Sequence, residues 1–149
     1  MEIERKFLIK ELPENYDTYP HHKIEQGYLC QEPVVRIRRQ DDEYILTYKS
    51  KGLLVREEQN LPLTKDAYDH LKNKIDGVFI KKIRYKLPFQ KYVIELDIFE
   101  GDLAPLIMAE VEFTSVAEAN AFTPPDWFSE DVTMSPEYHN NEMAMKKRG

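Results

Sequence analysis

The chain has 149 residues, of which 42% are hydrophobic and 32% charged, and its formal net charge is -6. This length and composition predict one folded domain over residues 1–149, with a core large enough to need no disulfide staples. The acidic balance disfavours general nucleic-acid binding, and no apolar run is long enough to cross a membrane. The single cysteine, Cys30, and a charged N-terminus unlike a signal peptide together indicate a soluble cytoplasmic protein.

The first predicted strand covers residues 1–9, where charged and apolar side chains alternate. Glu2, Glu4 and Lys6 are two residues apart, so on a strand they point to the same face. Ile3 points to the opposite face. Taken alone, this alternation would indicate only a strand with one solvated side.

The same alternation recurs in the strands that follow, which are predicted over residues 22–30, 34–40, 43–49, 53–61, 78–87, 91–99 and 107–114. The charged positions on shared faces are Arg36 and Arg38, Lys49, Arg56 and Glu58, Lys82 and Arg84, Glu95 and Asp97, and Glu110 and Glu112. Each pair also has a simpler explanation, because acidic pairs occur on solvated strand faces and basic residues on strands discourage edge aggregation. The number of charged faces favours their convergence in the polar interior of an antiparallel barrel, with the apolar faces outward.

Helices are predicted at three places in this α+β chain. Thr64 is suited to cap a helix that runs to Ile75, and Ser115 could cap a short helix over residues 116–122. A final helix is predicted near residues 138–147. Between the last two, Trp127 and its neighbour Phe128 are expected to form an apolar lid on the barrel. Helices or a second subunit would cover the outward apolar faces, so a homodimer is one alternative.

A confined interior containing both acids and bases suggests a particular chemistry. Carboxylates held close together repel one another unless cations lie among them. Hard divalent cations such as Mg²⁺ and Mn²⁺ prefer carboxylate oxygens and bridge phosphate oxygens. Arginine and lysine bind the remaining phosphate oxygens, so this pattern predicts metal-assisted handling of a polyanionic phosphate.

The ordered motifs resemble those of the CYTH, or triphosphate tunnel metalloenzyme, superfamily. The matching segments are Glu2-x-Glu4-x-Lys6, Gln26-Gly27-Tyr28-Leu29, Arg36-x-Arg38, Lys49, Lys82-x-Arg84, Glu95-x-Asp97, Glu110-x-Glu112 and Tyr138-x-Asn140-x-x-Met143-Ala144. The resemblance covers nearly the whole chain. It implies an eight-stranded antiparallel barrel, flanked by a few helices, whose tunnel binds a triphosphate with a divalent metal.

The resemblance also implies roles for individual residues. The implied metal ligands are Glu2, Glu4, Glu110, Glu112 and Asp97, with Glu58 as a further candidate. The implied triphosphate-binding residues are Lys6, Arg36, Arg38, Lys49, Lys82, Arg84 and Tyr28. Catalytic roles fall to Lys6, Glu95 and Asp97, although the sequence does not identify the general base. The chain departs from several relatives at Asn60, where they carry another carboxylate.

Within this family the chain is most similar to short bacterial inorganic tripolyphosphatases. The expected reaction is hydrolysis of tripolyphosphate to pyrophosphate and phosphate, with Mg²⁺ or Mn²⁺. Three alternatives stay open at this point. These are a class IV adenylate cyclase, a thiamine triphosphatase, and a non-catalytic polyphosphate-binding module.

Overall fold

The computed structural model describes residues 1–146, and about half of them belong to one antiparallel sheet. The strands are β1 (Glu2–Ile9), β2 (His21–Cys30), β3 (Val34–Gln40), β4 (Glu43–Lys49), β5 (Val55–Arg56), β6 (Glu58–Pro62), β7 (Asp76–Phe89), β8 (Tyr92–Glu100), β9 (Ile107–Glu112) and β10 (Phe128–Asp131). The α-helices are α1 (Lys65–Lys72), α2 (Val116–Ala121) and α3 (Asn140–Lys146). None of these helices is long and apolar enough to cross a bilayer.

The sheet closes on itself into a nearly complete barrel. Its strands are ordered β10-β1-β9-β8-β7-β2-β3-β4-β6, and β5 pairs with β1. Only Glu57 separates β5 from β6. The first of these strands, β5, pairs with β1, and the second, β6, pairs with β4. Counting β5 and β6 as one interrupted strand, eight strands enclose the interior. The predicted eight-stranded barrel is confirmed.

Two features of the sheet differ from the sequence prediction. The strand predicted over residues 53–61 is divided at Glu57, because its two halves pair with different neighbours. The strand β10 is not predicted at all, and it extends the sheet beside Phe7 and Ile9 of β1. Its short length and the preceding Pro124-Pro125 give little sequence signal for a strand.

The main apolar core lies on the outer side of the barrel wall. Ile3 and Phe7 point away from the charged face of β1 and join apolar residues of β8 and β9. Helix α2 and the segment leading to β10 cover this layer with Ala119 and Phe122. Trp127 and Phe128, expected to form a lid, also pack in this layer, with their ring centroids 4.7 Å apart. They therefore cover the outer wall.

A second apolar cluster lies among residues that share the inward parity of the charged side chains. It contains Ile80 of β7, Phe99 of β8 and Met108 of β9, with Met143 and Ala144 of α3 packed against them. This cluster fills one part of the barrel interior beside the charged region. The charged side chains nearest to it are consequently shielded from water.

The helices begin at the predicted caps but end at other residues. The Thr64 and Ser115 side chains accept hydrogen bonds from the backbone N–H of Ala67 and Glu118, at 3.1 Å each. Helix α1 ends at Lys72, and Ile75 instead packs against the backbone of Gly27 in β2. In place of one helix over 138–147 there is a 3-10 turn at Pro136–Tyr138 followed by α3, and residue 147 lies outside the described residues.

One arginine connects the outer layer to the barrel. Arg5, on the outer face of β1, donates to the carbonyl oxygens of Ala119 and Phe122 at 2.9 and 3.3 Å. It also donates to the Asp131 carboxylate at 2.8 Å and lies 4.9 Å from the centre of the Phe7 ring. The same side chain thus holds the end of α2, the start of the following segment and β10 against β1.

Replacing Arg5 with alanine should therefore destabilise the fold. Loss of charge-assisted hydrogen bonds to two carbonyls and a carboxylate should lower the free energy of unfolding by about 2 kcal/mol. The exposed Lys81, on the outer face of β7, offers a matched control, and Lys81→Ala should change stability by less than about 0.5 kcal/mol. Urea unfolding of both variants tests this, and equal midpoints would contradict the proposed role of Arg5.

Candidate active site

A cavity of about 270 Å³ lies inside the barrel. Its walls contain most of the residues assigned to a site from the sequence, namely Glu2, Glu4, Lys6, Tyr28, Arg36, Arg38, Lys49, Glu58, Arg84, Glu95, Glu110 and Glu112. Lys82 and Asp97 do not line it. The remaining walls consist of Val34, Ile45, Thr47, Arg56, Asn60 and Asn140.

Strand register explains why residues distant in sequence meet in this cavity. Glu4 and Lys6 of β1 lie opposite Glu112 and Glu110 of β9. Glu110 also lies opposite Glu95 of the next strand, β8. Directly opposed residues of antiparallel strands lie on the same face of the sheet. The cross-strand partner of an inward-pointing residue therefore also points into the barrel.

Lys6 lies between two of these carboxylates. Its Nζ is 2.8 Å from Glu110 Oε1 and 3.0 Å from Glu4 Oε1. Burial by itself would lower the pKa of Lys6, but Glu110 and Glu4 outweigh burial and raise it. Burial would likewise raise the pKa of Glu110, whereas Lys6 and Arg84 bring it well below its ordinary value. Lys6 and Glu110 are therefore both charged at neutral pH.

Asp97 is fully buried behind the cavity wall, in contact with two cations. Lys82 Nζ donates to its Oδ2 at 2.7 Å, and Arg84 donates to both oxygens at 2.8 and 2.9 Å. Burial favours a raised pKa for Asp97, but Arg84 and Lys82 more than compensate and lower it. Burial also lowers the pKa of Lys82, to about 8, despite Asp97. Both carboxylate oxygens are thus occupied by protein donors.

A second cluster of ion pairs surrounds Glu2 at another part of the wall. Lys49 Nζ lies 2.8 Å from Glu2 Oε1 and 3.5 Å from Glu58 Oε2, and Arg56 Nε lies 3.8 Å from Glu2. Burial and the nearby Arg36 lower the pKa of Lys49. Glu58, assigned from the sequence only as a further candidate, lies in the same cavity. Its pKa is lowered by Lys49 against the effect of burial.

Two arginines of β3 contrast with these paired cations. Arg36 is 5% exposed and forms no ion pair with any residue between 1 and 146, and its Nε has no hydrogen-bond partner there. Arg38 donates from Nε to the neutral side chain of Gln26 at 2.9 Å. Burial, together with Arg36 and Arg84, lowers the pKa of Arg38 to about 9. These guanidinium groups can donate to a bound anion.

Two carboxylates are correspondingly free of strong pairing. Glu112 makes no ion pair within the part of the chain that the structure describes, and Glu95 makes one, with Arg84 Nη1 at 3.3 Å. Partial desolvation raises the pKa of Glu112, which is exposed at the end of β9, and the neighbouring Glu2 and Glu4 add to the effect. Burial also raises the pKa of Glu95, in spite of Arg84. A cation bound near Glu112 and Glu95 would reduce the repulsion between the carboxylates and would stabilise their charged forms.

The carboxylates fit a divalent ion that is shared with a substrate. Within residues 1–146, no three His, Cys, Asp or Glu side chains form a ready-made metal site. Glu4 and Glu112 are directly opposed on β1 and β9, and Glu112 has no competing cation among the described residues. Mg²⁺ binds through one or two carboxylates plus phosphate oxygens and water rather than in a closed protein cage. The chemistry of these donors matches that requirement.

Several cavity residues were assigned no role from the sequence. Thr47 Oγ1 donates to Asn60 Oδ1 at 2.6 Å, and both share inward parity with the assigned residues of their strands. Arg56 shares the face of Glu58 in the same way. Asn140 enters from the start of α3, within the C-terminal motif. Strand parity would have identified the first three, whereas the position of Asn140 depends on how the last segment returns to the barrel.

Comparison with known proteins gives consistent matches over almost the whole chain. The CYTH domain model matches residues 1–130. An inorganic triphosphatase from Nitrosomonas europaea is 39% identical over 97% of each chain, and one from Acetivibrio thermocellus is 32% identical over 96% of this chain and 92% of its own. The crystal structure of the inorganic triphosphatase NE1496 superposes with a TM-score of 0.73 and 35% identity, covering 97% of this chain and 95% of the other.

The two kinds of carboxylate should respond differently to neutralisation. Replacing Asp97 with asparagine leaves Lys82 and Arg84 buried without their shared counter-charge, so the free energy of unfolding should fall by about 3 kcal/mol. Replacing Glu112 with glutamine removes no ion pair and should change stability by less than about 0.5 kcal/mol. Urea unfolding of both variants tests the difference. A stable Asp97→Asn protein would mean that Asp97 does not balance these cations.

Proposed function

The chain belongs to the CYTH domain family, as its ordered motifs predict, and on this premise we propose that it hydrolyses inorganic tripolyphosphate to pyrophosphate and orthophosphate. Its relatives at 39% and 32% identity are named inorganic triphosphatases. One observation carries the assignment. Within one barrel, the arginines that have no acidic partner among residues 1–146 lie on β3, and the cavity carboxylates with the least pairing there lie on β8 and β9.

The composition of the cavity favours an inorganic substrate. Among the described residues that line the cavity, Tyr28 is the only one with an aromatic side chain, and Val34 and Ile45 are the only aliphatic ones. A nucleobase or a thiamine ring needs an apolar or aromatic surface for stacking, and this wall offers little of one. Trp127, the only tryptophan, packs outside the barrel against Phe128. These features disfavour the cyclase and thiamine triphosphatase alternatives.

Arg36 and Arg38 are proposed to bind the phosphate oxygens first. Neither is paired with a carboxylate among the described residues, so no protein ion pair must break before an anion binds. Lys49 and Arg84 would join them at the cost of weakening their contacts with Glu2 and Glu110. Lys82 would contribute positive charge from behind the cavity wall without contacting the phosphate, because its ammonium group is held by Asp97.

Glu4 and Glu112 are proposed as the principal ligands of Mg²⁺ or Mn²⁺. Glu112 is unpaired in the described part of the chain, and only one oxygen of Glu4 is used by Lys6. Glu2 and Glu110 could contribute only by exchanging their contacts with Lys49 and Lys6. A bound divalent ion would withdraw charge from the phosphate oxygens and hold the phosphate chain in a fixed orientation.

Glu95 is proposed as the general base, in preference to Asp97. During hydrolysis the water oxygen bonds to the terminal phosphorus, the bridging P–O bond breaks, pyrophosphate leaves, and the water proton passes to a base. Glu95 lines the cavity and has one long contact with Arg84, whereas both Asp97 oxygens are occupied. Lys6, held by Glu4 and Glu110, supplies positive charge near the reacting phosphate. Asp97 then serves to hold Arg84 and Lys82.

Two sequence-based predictions concern the protein's setting. We propose a cytoplasmic location, which the presence of a single cysteine supports. A homodimer would cover apolar side chains that are exposed on the outer wall, such as Leu61 at 57% and Tyr48 at 37% exposure. Size-exclusion chromatography with light scattering measures this directly.

The proposed reaction predicts a specific product pattern. Tripolyphosphate with Mg²⁺ or Mn²⁺ should yield equal amounts of orthophosphate and pyrophosphate, ATP should react more slowly, and EDTA should abolish both reactions. Glu112→Gln, which should fold normally, should need a higher metal concentration for half-maximal rate. Ion chromatography of the products tests this. Cyclic AMP from ATP would identify a cyclase, and metal-dependent binding without products would identify a binding module.

Replacing Glu95 with glutamine tests the general base. Because glutamine cannot accept the water proton, kcat for tripolyphosphate should fall by at least about 100-fold, with a smaller change in KM. Glu100→Gln is a matched control, since Glu100 is exposed at the end of the same strand. Steady-state phosphate release from both variants is the measurement. A Glu95→Gln enzyme with the kcat of the control would exclude Glu95 as the base.

A further inference from the structure

We propose that Gln26 is a positioning residue for the triphosphate, because its amide fixes the guanidinium of Arg38 without cancelling its charge. This inference depends on the proposed function, since it concerns the same bound anion. Gln26 does not line the cavity. It would act through Arg38, whose free donors face the anion.

The contacts of Gln26 determine the orientation of its amide. The side chain is completely buried, behind Arg38 and Tyr28, which both line the cavity. Its Oε1 accepts from Arg38 Nε at 2.9 Å, and its Nε2 donates to the Tyr28 hydroxyl at 3.2 Å. A guanidinium group has donors only, so the atom facing Arg38 must be the oxygen. Both ends of the amide are therefore assigned by chemistry.

The backbone register supports the same arrangement. Gln26 is directly opposite Arg38 on β3, and Tyr28 is opposite Arg36. On one face of this strand pair, each of these two arginines of β3 therefore lies opposite a neutral hydrogen-bonding side chain of β2. The single bond at Nε holds Arg38 and leaves its two terminal nitrogens without partners in the described part of the chain. Those nitrogens are the ones that can bind phosphate oxygens side by side.

Arg84 shows the alternative way of holding an arginine in this barrel. Its guanidinium donates to both oxygens of Asp97 and to Glu110, so its charge is balanced by the protein. Arg38, in contrast, has no carboxylate partner among the described residues, and burial together with the like charges of Arg36 and Arg84 lowers its pKa. An acid at position 26 would neutralise this cluster and favour the empty protein. A neutral amide leaves the positive charge for a ligand.

A simpler explanation is that Gln26 is only a buried polar group with satisfied hydrogen bonds. The two explanations predict different affinities of the Gln26→Glu variant for tripolyphosphate. Glutamate has nearly the same shape, can accept from Arg38, and can accept from the Tyr28 hydroxyl, so packing is retained. Among arginines it should stay ionised. A purely structural role predicts normal binding of tripolyphosphate, whereas the positioning role predicts a loss.

The experiment is calorimetric titration of tripolyphosphate into the protein with EDTA present, so that binding is measured without hydrolysis. Gln26→Glu should raise the Kd at least about tenfold, which corresponds to about 1.4 kcal/mol, and should keep or raise the melting temperature. With metal present, KM should rise more than kcat falls. Gln59→Glu adds the same charge on the exposed outer face of β6 and should leave the Kd unchanged.

Three outcomes overturn the inference or decide between it and the proposed function. Equal Kd values for wild type, Gln26→Glu and Gln59→Glu would overturn the positioning role. Failure of the wild type to bind tripolyphosphate in EDTA, together with failure to hydrolyse it when Mg²⁺ or Mn²⁺ is present, would overturn the proposed function itself. If Gln26→Glu does not fold, Gln26→Met decides, because it removes the anchor of Arg38 without adding charge. A folded Gln26→Met protein with wild-type Kd would overturn the inference.

Discussion

Burial of charge inside the barrel is the constraint on which the rest of this structure depends. An isolated charge removed from water costs several kcal/mol, so a polar interior is stable only when acids and bases lie together. Lys6 with Glu110, Lys49 with Glu2, and Asp97 with Arg84 satisfy that requirement. Since each pair joins different strands, the pairs also hold the wall of the barrel in register. The chemistry of the site and the closure of the barrel therefore use the same contacts.

A charged interior requires the apolar core to lie elsewhere. Here it forms an outer layer in which Phe7 and Val111 pack beneath Phe122 and Phe128, while Arg5 connects the layers. Apolar residues fill part of the barrel interior around Phe99 and Met108, next to α3. This arrangement explains why Lys82 and Asp97 are shielded from water although neighbouring charged residues line the cavity. The outer layer supplies stability, and the interior can be adapted to an anion and its metal.

The division between paired and unpaired charges provides the functional asymmetry. Arg36 and Arg38 have no acidic partner among the described residues, and Glu112 has no basic one there. In the proposed function, a phosphate chain with a divalent ion would complete the charge balance that the protein leaves open between these walls. Gln26 illustrates how finely this is controlled, because a single carboxylate in its place would pair with Arg38. A site for a polyanion thus depends as much on charged side chains that are left without an ion-pair partner in the described protein as on the ion pairs that form.

The alternation of charge and apolarity by itself determined the strands, the inward parity and the barrel, because side chains on a strand alternate strictly between two faces. The family resemblance assigned fourteen residues to the site, and twelve of them lie on the cavity wall. The alternation did not separate Asp97 from Glu95, which have the same parity two residues apart. Only the tertiary structure decided that Asp97 is enclosed by Lys82 and Arg84 while Glu95 stays accessible. It likewise decided the break at Glu57, the added strand β10 and the entry of Asn140. These features depend on which strands become neighbours and where the apolar residues close the barrel, and those contacts between distant segments have no local signature in the chain.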